Sequence, residues 1–136
     1  MRRALLFTAL LACGRPSHTI AMHAQNNSGQ DGTATFVDLG GGKIDVTEVL
    51  KSSTFPGPQA SHIHAGHCDD LREIQFPIFA LDGGEANDPF ASDGGTIAFH
   101  AVIAPPNGWN GIFDGDHAIN AHDPRDNSLY VSCGDL

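Results

Sequence analysis

Positive charge is scarce in this chain. Only 7 of its 136 residues are Lys or Arg, against 16 Asp or Glu, for a formal net charge of −9. A nucleic-acid binder needs a basic face to neutralise phosphates, so that class is excluded. Long apolar runs are also missing. The longest, Ala4 to Ala12, has nine residues, where a membrane-spanning helix needs ~20. There is no internal repeat and no Rossmann or P-loop glycine pattern. Uninterrupted helical sequence is lacking too, because 16 Gly and 8 Pro punctuate the whole length. That density argues against a helix bundle or coiled coil. Against these shortages stand 8 His and 3 Cys, many for so small a chain.

The amino terminus accounts for part of the cysteine count. Met1-Arg2-Arg3 is a short basic segment, and Ala4 to Ala12 after it has the length of a secretory h-region. Two processing readings stand side by side. Leu10-Leu11-Ala12-Cys13-Gly14 resembles a bacterial lipobox, in which Cys13 takes a lipid and tethers the protein to the outer membrane. Alternatively, residues 1–24 are a signal peptide cut after Ala24, in Ile20-Ala21-Met22-His23-Ala24-Gln25. Both place the protein outside the cytoplasm, as a periplasmic, envelope-tethered or secreted domain. With residues 1–24 removed, four basic residues (Lys43, Lys51, Arg72, Arg125) face all 16 acids, a net of −12. Cys68 and Cys133 then remain, and an exported domain with two cysteines reads as one disulfide. It closes a loop of 66 residues, counting both ends, and stabilises by ~4 kcal/mol on the chain-entropy model.

Polar, small residues 25–32 read as a flexible leader, and residues 33–136 as the folded domain. Ala34 to Leu39 and Lys43 to Leu50 flank Gly40-Gly41-Gly42 as a hairpin. Ser52 to Gln59 is a loop, and Ala60 to Ala65 a short strand. Ile74 to Leu81 is a strand in which Pro77 marks an edge or a bulge. Asp82 to Gly95 is a loop without the alternating ligand set of a calcium site. Thr96 to Ile103 is a clear strand. Pro105 to Gly115 is a loop whose Trp109 anchors it to the domain. His117 to His122 and Leu129 to Cys133 complete the set. The pattern predicts an all-β fold, an antiparallel Greek-key sandwich or barrel of about seven to eight strands.

The chemistry concentrates in His62-Ile63-His64, followed by Gly66, His67 and Cys68. Residues i and i+2 of a strand share a face, so two imidazoles there can share one metal ion. The plainer reading is two surface histidines on a half-exposed strand. His122, in Ala118-Ile119-Asn120-Ala121-His122-Asp123, ends a strand that must pack somewhere in the same sandwich. His100 sits inside an apolar strand, and His117 follows Gly115-Asp116.

His62-Ile63-His64 with Gly66 and Cys68 is similar to the copper-binding strand of copper/zinc superoxide dismutases. Cys133-Gly134 resembles that family's closing segment. Ile119-Asn120-Ala121-His122-Asp123, with His122 eleven residues before Cys133, resembles the strand bearing the last copper histidine. The chain also resembles small exported bacterial proteins of the CHRD or superoxide-dismutase-like sandwich type. The resemblance spans residues 34–136. It implies a copper site of His62, His64 and His122, with His67, His100 or His117 as candidates for a fourth ligand. Departures bear on activity. Asp69 to Ala98 contains no histidine, so neither the bridging ligand nor the zinc subsite has matching residues, and no zinc site is expected. Tyr130 stands three residues before Cys133, where the family has an arginine that orients superoxide. Net acidity also slows an anionic substrate. The expectation is a copper-binding domain without efficient dismutase activity and with no catalytic residue assigned. The alternatives are a copper-only superoxide dismutase and a metal-free structural or adhesive envelope domain.

Overall fold

The computed structural model describes residues 14–51, 59–79 and 95–136. The apolar segment at Ala4 to Ala12, the lipidation reading of Cys13, the Pro56-Gly57-Pro58 loop and nearly all of the Asp82 to Gly95 loop lie outside those residues.

Eight strands form in chain order: β1 Ser17–Ala24, β2 Gly32–Gly40, β3 Lys43–Lys51, β4 Ser61–His67, β5 Asp70–Phe79, β6 Thr96–Ile103, β7 His117–Asp123 and β8 Asp126–Asp135. A single 3-10 turn, Gly108–Gly111, precedes β7. Every strand pair is antiparallel, and the sheet runs β5-β4-β7-β8-β1-β2-β3-β6. The sheet curls into a half-barrel that brings its edges, β5 and β6, near one another. Alternation drives the curl. On β3, Ile44, Val46, Glu48 and Leu50 all point inward and are buried, while their neighbours are partly exposed. Phe36, Ile63, Phe99, Ile119 and Val131 fill the same interior from the other strands. Gly40, Gly41 and Gly42 all take positive φ in the β2–β3 turn, a conformation that strains other residues.

The hairpin, the Thr96–Ile103 strand and the absence of long helix among the described residues follow the sequence pattern. Pro77 sits on an edge strand, beside register shifts in the β4–β5 ladder. It offers no backbone N–H to a second neighbour and needs none there. Trp109 packs on Phe113 of its own loop, ring centroids 4.3 Å apart, and Phe113 meets core Phe36 at 5.2 Å, so the pair fastens the loop to the interior.

The amino-terminal boundary differs from expectation. Ser17–Ala24 is not spacer before a cleavage point at Ala24; it is β1, at the middle of the sheet. Ile20 and Met22 face the interior, and Met22 is 1% exposed. β1 pairs along its length with β2 and then, through His23 and Ala24, with Cys133 and Ser132 of β8. Cutting after Ala24 would remove the strand that joins the two halves. Residues 25–32 are not a loose leader either. Asn26 and Asn27 turn the chain with positive φ. Asp31 Oδ1 accepts the Ala24 N–H at 2.9 Å. Buried Gln30 donates to the Lys51 carbonyl at 2.9 Å and pairs with Gln59. Polarity suggested mobility there, but the polar groups find internal partners.

Cys68 and Cys133 form the expected disulfide, which ties the β4–β5 turn to β8. The Cys68 N–H also donates to Asp135 Oδ1 at 2.7 Å.

One interior position is anomalous. Glu48 is fully buried, and neither carboxyl oxygen has a hydrogen-bond partner. Burial pushes its pKa up to about 7, against the opposing influence of the Ser61 hydroxyl. That hydroxyl donates instead to the Asn120 carbonyl, at 3.0 Å. A carboxyl that keeps its proton longer when folded stabilises at low pH and loses that contribution as pH rises. Thermal stability is therefore expected to fall between pH 4.5 and about 7, by on the order of 3 kcal/mol. Melting curves of Glu48→Gln should lack this slope and lie above wild type at pH 8. An identical pH profile in the variant would show that Glu48 is not the group responsible.

Candidate metal centre

β4 must bury Ile63, which is fully inaccessible and belongs to the core. Strand alternation then sends His62 and His64 to the outer face. β7 is the neighbouring strand, with His62 opposite Asn120 and His64 opposite Ala118. Ile119 and Ala121 are core residues, so His122 joins the outer face, diagonal to His62. The three imidazoles converge, each offering a nitrogen within 4.8 Å of the other two. Two bonds of ~2.0 Å to one ion allow donors up to ~4 Å apart. The 4.8 Å limit is slightly wider than that, so the rings would have to shift to share one ion.

Backbone carbonyls fix the tautomers. His64 Nδ1 lies 2.7 Å from the Arg72 carbonyl oxygen, so Nδ1–H donates and Nε2 is left as the lone-pair nitrogen. His122 Nδ1 donates in the same way to the Asn127 carbonyl. His62 Nδ1 lies 2.8 Å from His122 Nε2. Since the latter can only accept, His62 Nδ1 carries the proton. Nε2 is then the lone-pair nitrogen of all three rings. His64 Nε2 is buried and without a partner in the protein, an arrangement that costs about 1–3 kcal/mol unless something fills it.

The surroundings of His62 and His122 favour their neutral forms. Burial pushes the pKa of His62 down to about 4, and the neighbouring His122 and His64 add to the shift. Burial also lowers His122, partly opposed by its bond to the Asn127 carbonyl. Neutral imidazoles are the form that binds metal. Tyr130 closes one side, its ring centroid 5.1 Å from His122 and 6.0 Å from His64. Gly66 shapes the other end. Its φ is +91°, and a Cβ there would come within 2.3 Å of the Asp70 carbonyl oxygen. Only glycine permits the turn that returns Arg72 to His64.

The other candidate histidines lie elsewhere. His67 Nδ1 is 3.8 Å from Asp135 Oδ1. His100 Nε2 is 2.7 Å from Asp45 Oδ1, across the β3–β6 ladder. His117 Nδ1 is 2.8 Å from Asp114 Oδ1, at the opposite end of β7 from His122. Each has a carboxylate partner, and none joins the cluster. Asp123, next to His122, pairs with Arg125 at 3.0 Å. The backbone carbonyls of Arg72 and Asn127, which orient His64 and His122, carry no side-chain signature in a sequence. Asn120 also escaped notice, although a polar residue alternating with Ile119 and Ala121 was a readable sign of a second polar position on that face.

No protein-family model matches this chain, and no curated protein matches it.

In the metal-free protein, nitrogen-15 shifts should report protonated Nδ1 on all three histidines. His62 should titrate near pH 4. An Nε2–H tautomer at His64 or His122, or an ordinary midpoint near 6.5 for His62, would contradict this network.

Proposed function

We propose that this protein is an exported copper-binding domain of the superoxide-dismutase-like type, without efficient dismutase activity. The observation that carries the reading is the convergence of three imidazoles around the buried, unpartnered Nε2 of His64. Three nitrogen donors with carbonyl-fixed tautomers suit Cu(II), which imidazole prefers and which outranks zinc in affinity for such ligands. Bound copper supplies a one-electron couple and a Lewis acid. The chain's own residues hold the donors in place: Ile63 and Ile119 anchor the strands in the core, and the Arg72 and Asn127 carbonyls orient the rings.

Strand order supports the dismutase-like part. Pairing of β3 with β6 and of β4 with β7 is the crossing expected of a Greek key. Tyr130 at the arginine position and the acidic balance of the chain argue against fast turnover of superoxide. The disulfide fits an oxidising compartment. No helix among the described residues is long and apolar enough to cross a membrane. Attachment, in this reading, is through lipid on Cys13.

Calorimetry with a competing chelator should give a Cu(II) Kd below about 1 μM, and His64→Ala should weaken it at least ~10-fold. At free copper a hundredfold above Kd, a ligand that binds only the folded state adds about 2.7 kcal/mol of stability. Equal melting temperatures with and without copper would favour the metal-free envelope domain. Superoxide consumption faster than that of a copper–histidine complex would favour the copper-only dismutase.

A further inference from the structure

The outer face holds one more buried polar side chain. Asn120 is 0% exposed, and neither its amide oxygen nor its amide nitrogen has a hydrogen-bond partner in the protein. Its place is specific. On β7 it alternates with Ile119 and Ala121, which point into the core, so it shares the face of His122. In the β4–β7 ladder it stands directly opposite His62, and in the β7–β8 ladder opposite Cys133. Side chains opposite one another have Cβ atoms ~4.5–5.5 Å apart. Asn120 is therefore flanked by His62 across the ladder, by His122 along its own strand and by the disulfide on its far side.

An unpartnered buried amide is costly, and an aliphatic side chain would remove that cost. Two unpartnered donor sets, His64 Nε2 and the Asn120 amide, lie on one small patch. One cation would take the lone pairs of His64 Nε2 and Asn120 Oδ1 together, though not the Asn120 N–H groups. We propose that Asn120 is a fourth metal-binding group, giving its neutral Oδ1 to the ion held by His62, His64 and His122 from the sheet side of the cluster. This rests on the copper-binding reading, and it fills the role that His67, His100 and His117 leave open. A weak oxygen donor beside three imidazoles favours Cu(II) over the softer Cu(I), because carbonyl oxygen is the harder ligand. Asn120 then tunes the redox balance of the bound ion.

The test uses the oxidised, copper-loaded protein and compares wild type, Asn120→Leu and Asn120→Asp. Asn120→Leu keeps the volume and removes both polar atoms. It should melt no lower than wild type without metal, yet bind Cu(II) about 10-fold more weakly. Its Cu(II) electron paramagnetic resonance spectrum should change, and its Cu(II)/Cu(I) potential should rise. Asn120→Asp retains an oxygen donor and should restore affinity and lower the potential. If Asn120→Leu loses stability without metal while the spectrum and potential stay at wild-type values, the amide is structural and the proposal is overturned. The same holds if Asn120→Asp fails to restore affinity. Failure of the wild-type protein itself to bind copper would instead overturn the copper-binding reading.

Discussion

Much of this molecule depends on the antiparallel pairing of β4 with β7. That ladder sets Ile63 against Ile119 in the core, and the same register sets His62 beside Asn120 and within reach of His122. A slip of one residue would reverse both faces at once, putting imidazoles inside and isoleucines outside. Burial of two isoleucines, worth roughly 1.5–3 kcal/mol each, therefore also secures the register of the donor atoms. The packing term and the site are not separate achievements of the sequence. One alternation produces both.

The second determinant is how the outer face is closed. The disulfide fastens the turn after β4 to β8, and Gly66 lets that turn fold back tightly enough for the Arg72 carbonyl to reach His64. At the other end the Asn127 carbonyl, near the start of β8, does the same for His122. Both orienting groups are backbone atoms, so the rings are held by chain geometry rather than by further side chains. Net acidity across the chain attracts cations to such a site and repels anions from it.

Much of this was legible in the residues. The Gly40-Gly41-Gly42 hairpin, the Thr96–Ile103 strand, Pro77 at an edge and the His62-Ile63-His64 face all follow from period-two alternation and turn chemistry. β1 was missed because its outward positions, Ser17, Thr19, Ala21 and His23, are small or polar, and only Ile20 and Met22 mark its inner face. Its proximity to an apolar segment made export processing the more economical reading. Residues 25–32 were misread for a related reason: a buried glutamine pair, Gln30 with Gln59, joins positions 29 apart in sequence. His67, His100 and His117 were separated from the cluster by local carboxylates, whose proximity depends on the fold. Glu48 occupies an inward slot that its strand pattern already indicated, and its lack of a partner is a tertiary fact.

The hydrogen bond between His62 and His122 also couples the two rings mechanically. The His62 Nδ1–H is spent on His122 Nε2, and the His122 Nδ1–H is spent on the Asn127 carbonyl. The three groups form a short relay from β4 through β7 to the backbone of β8. A displacement of either ring is therefore felt by the other, and the pair behaves as one rigid unit rather than as two independent side chains.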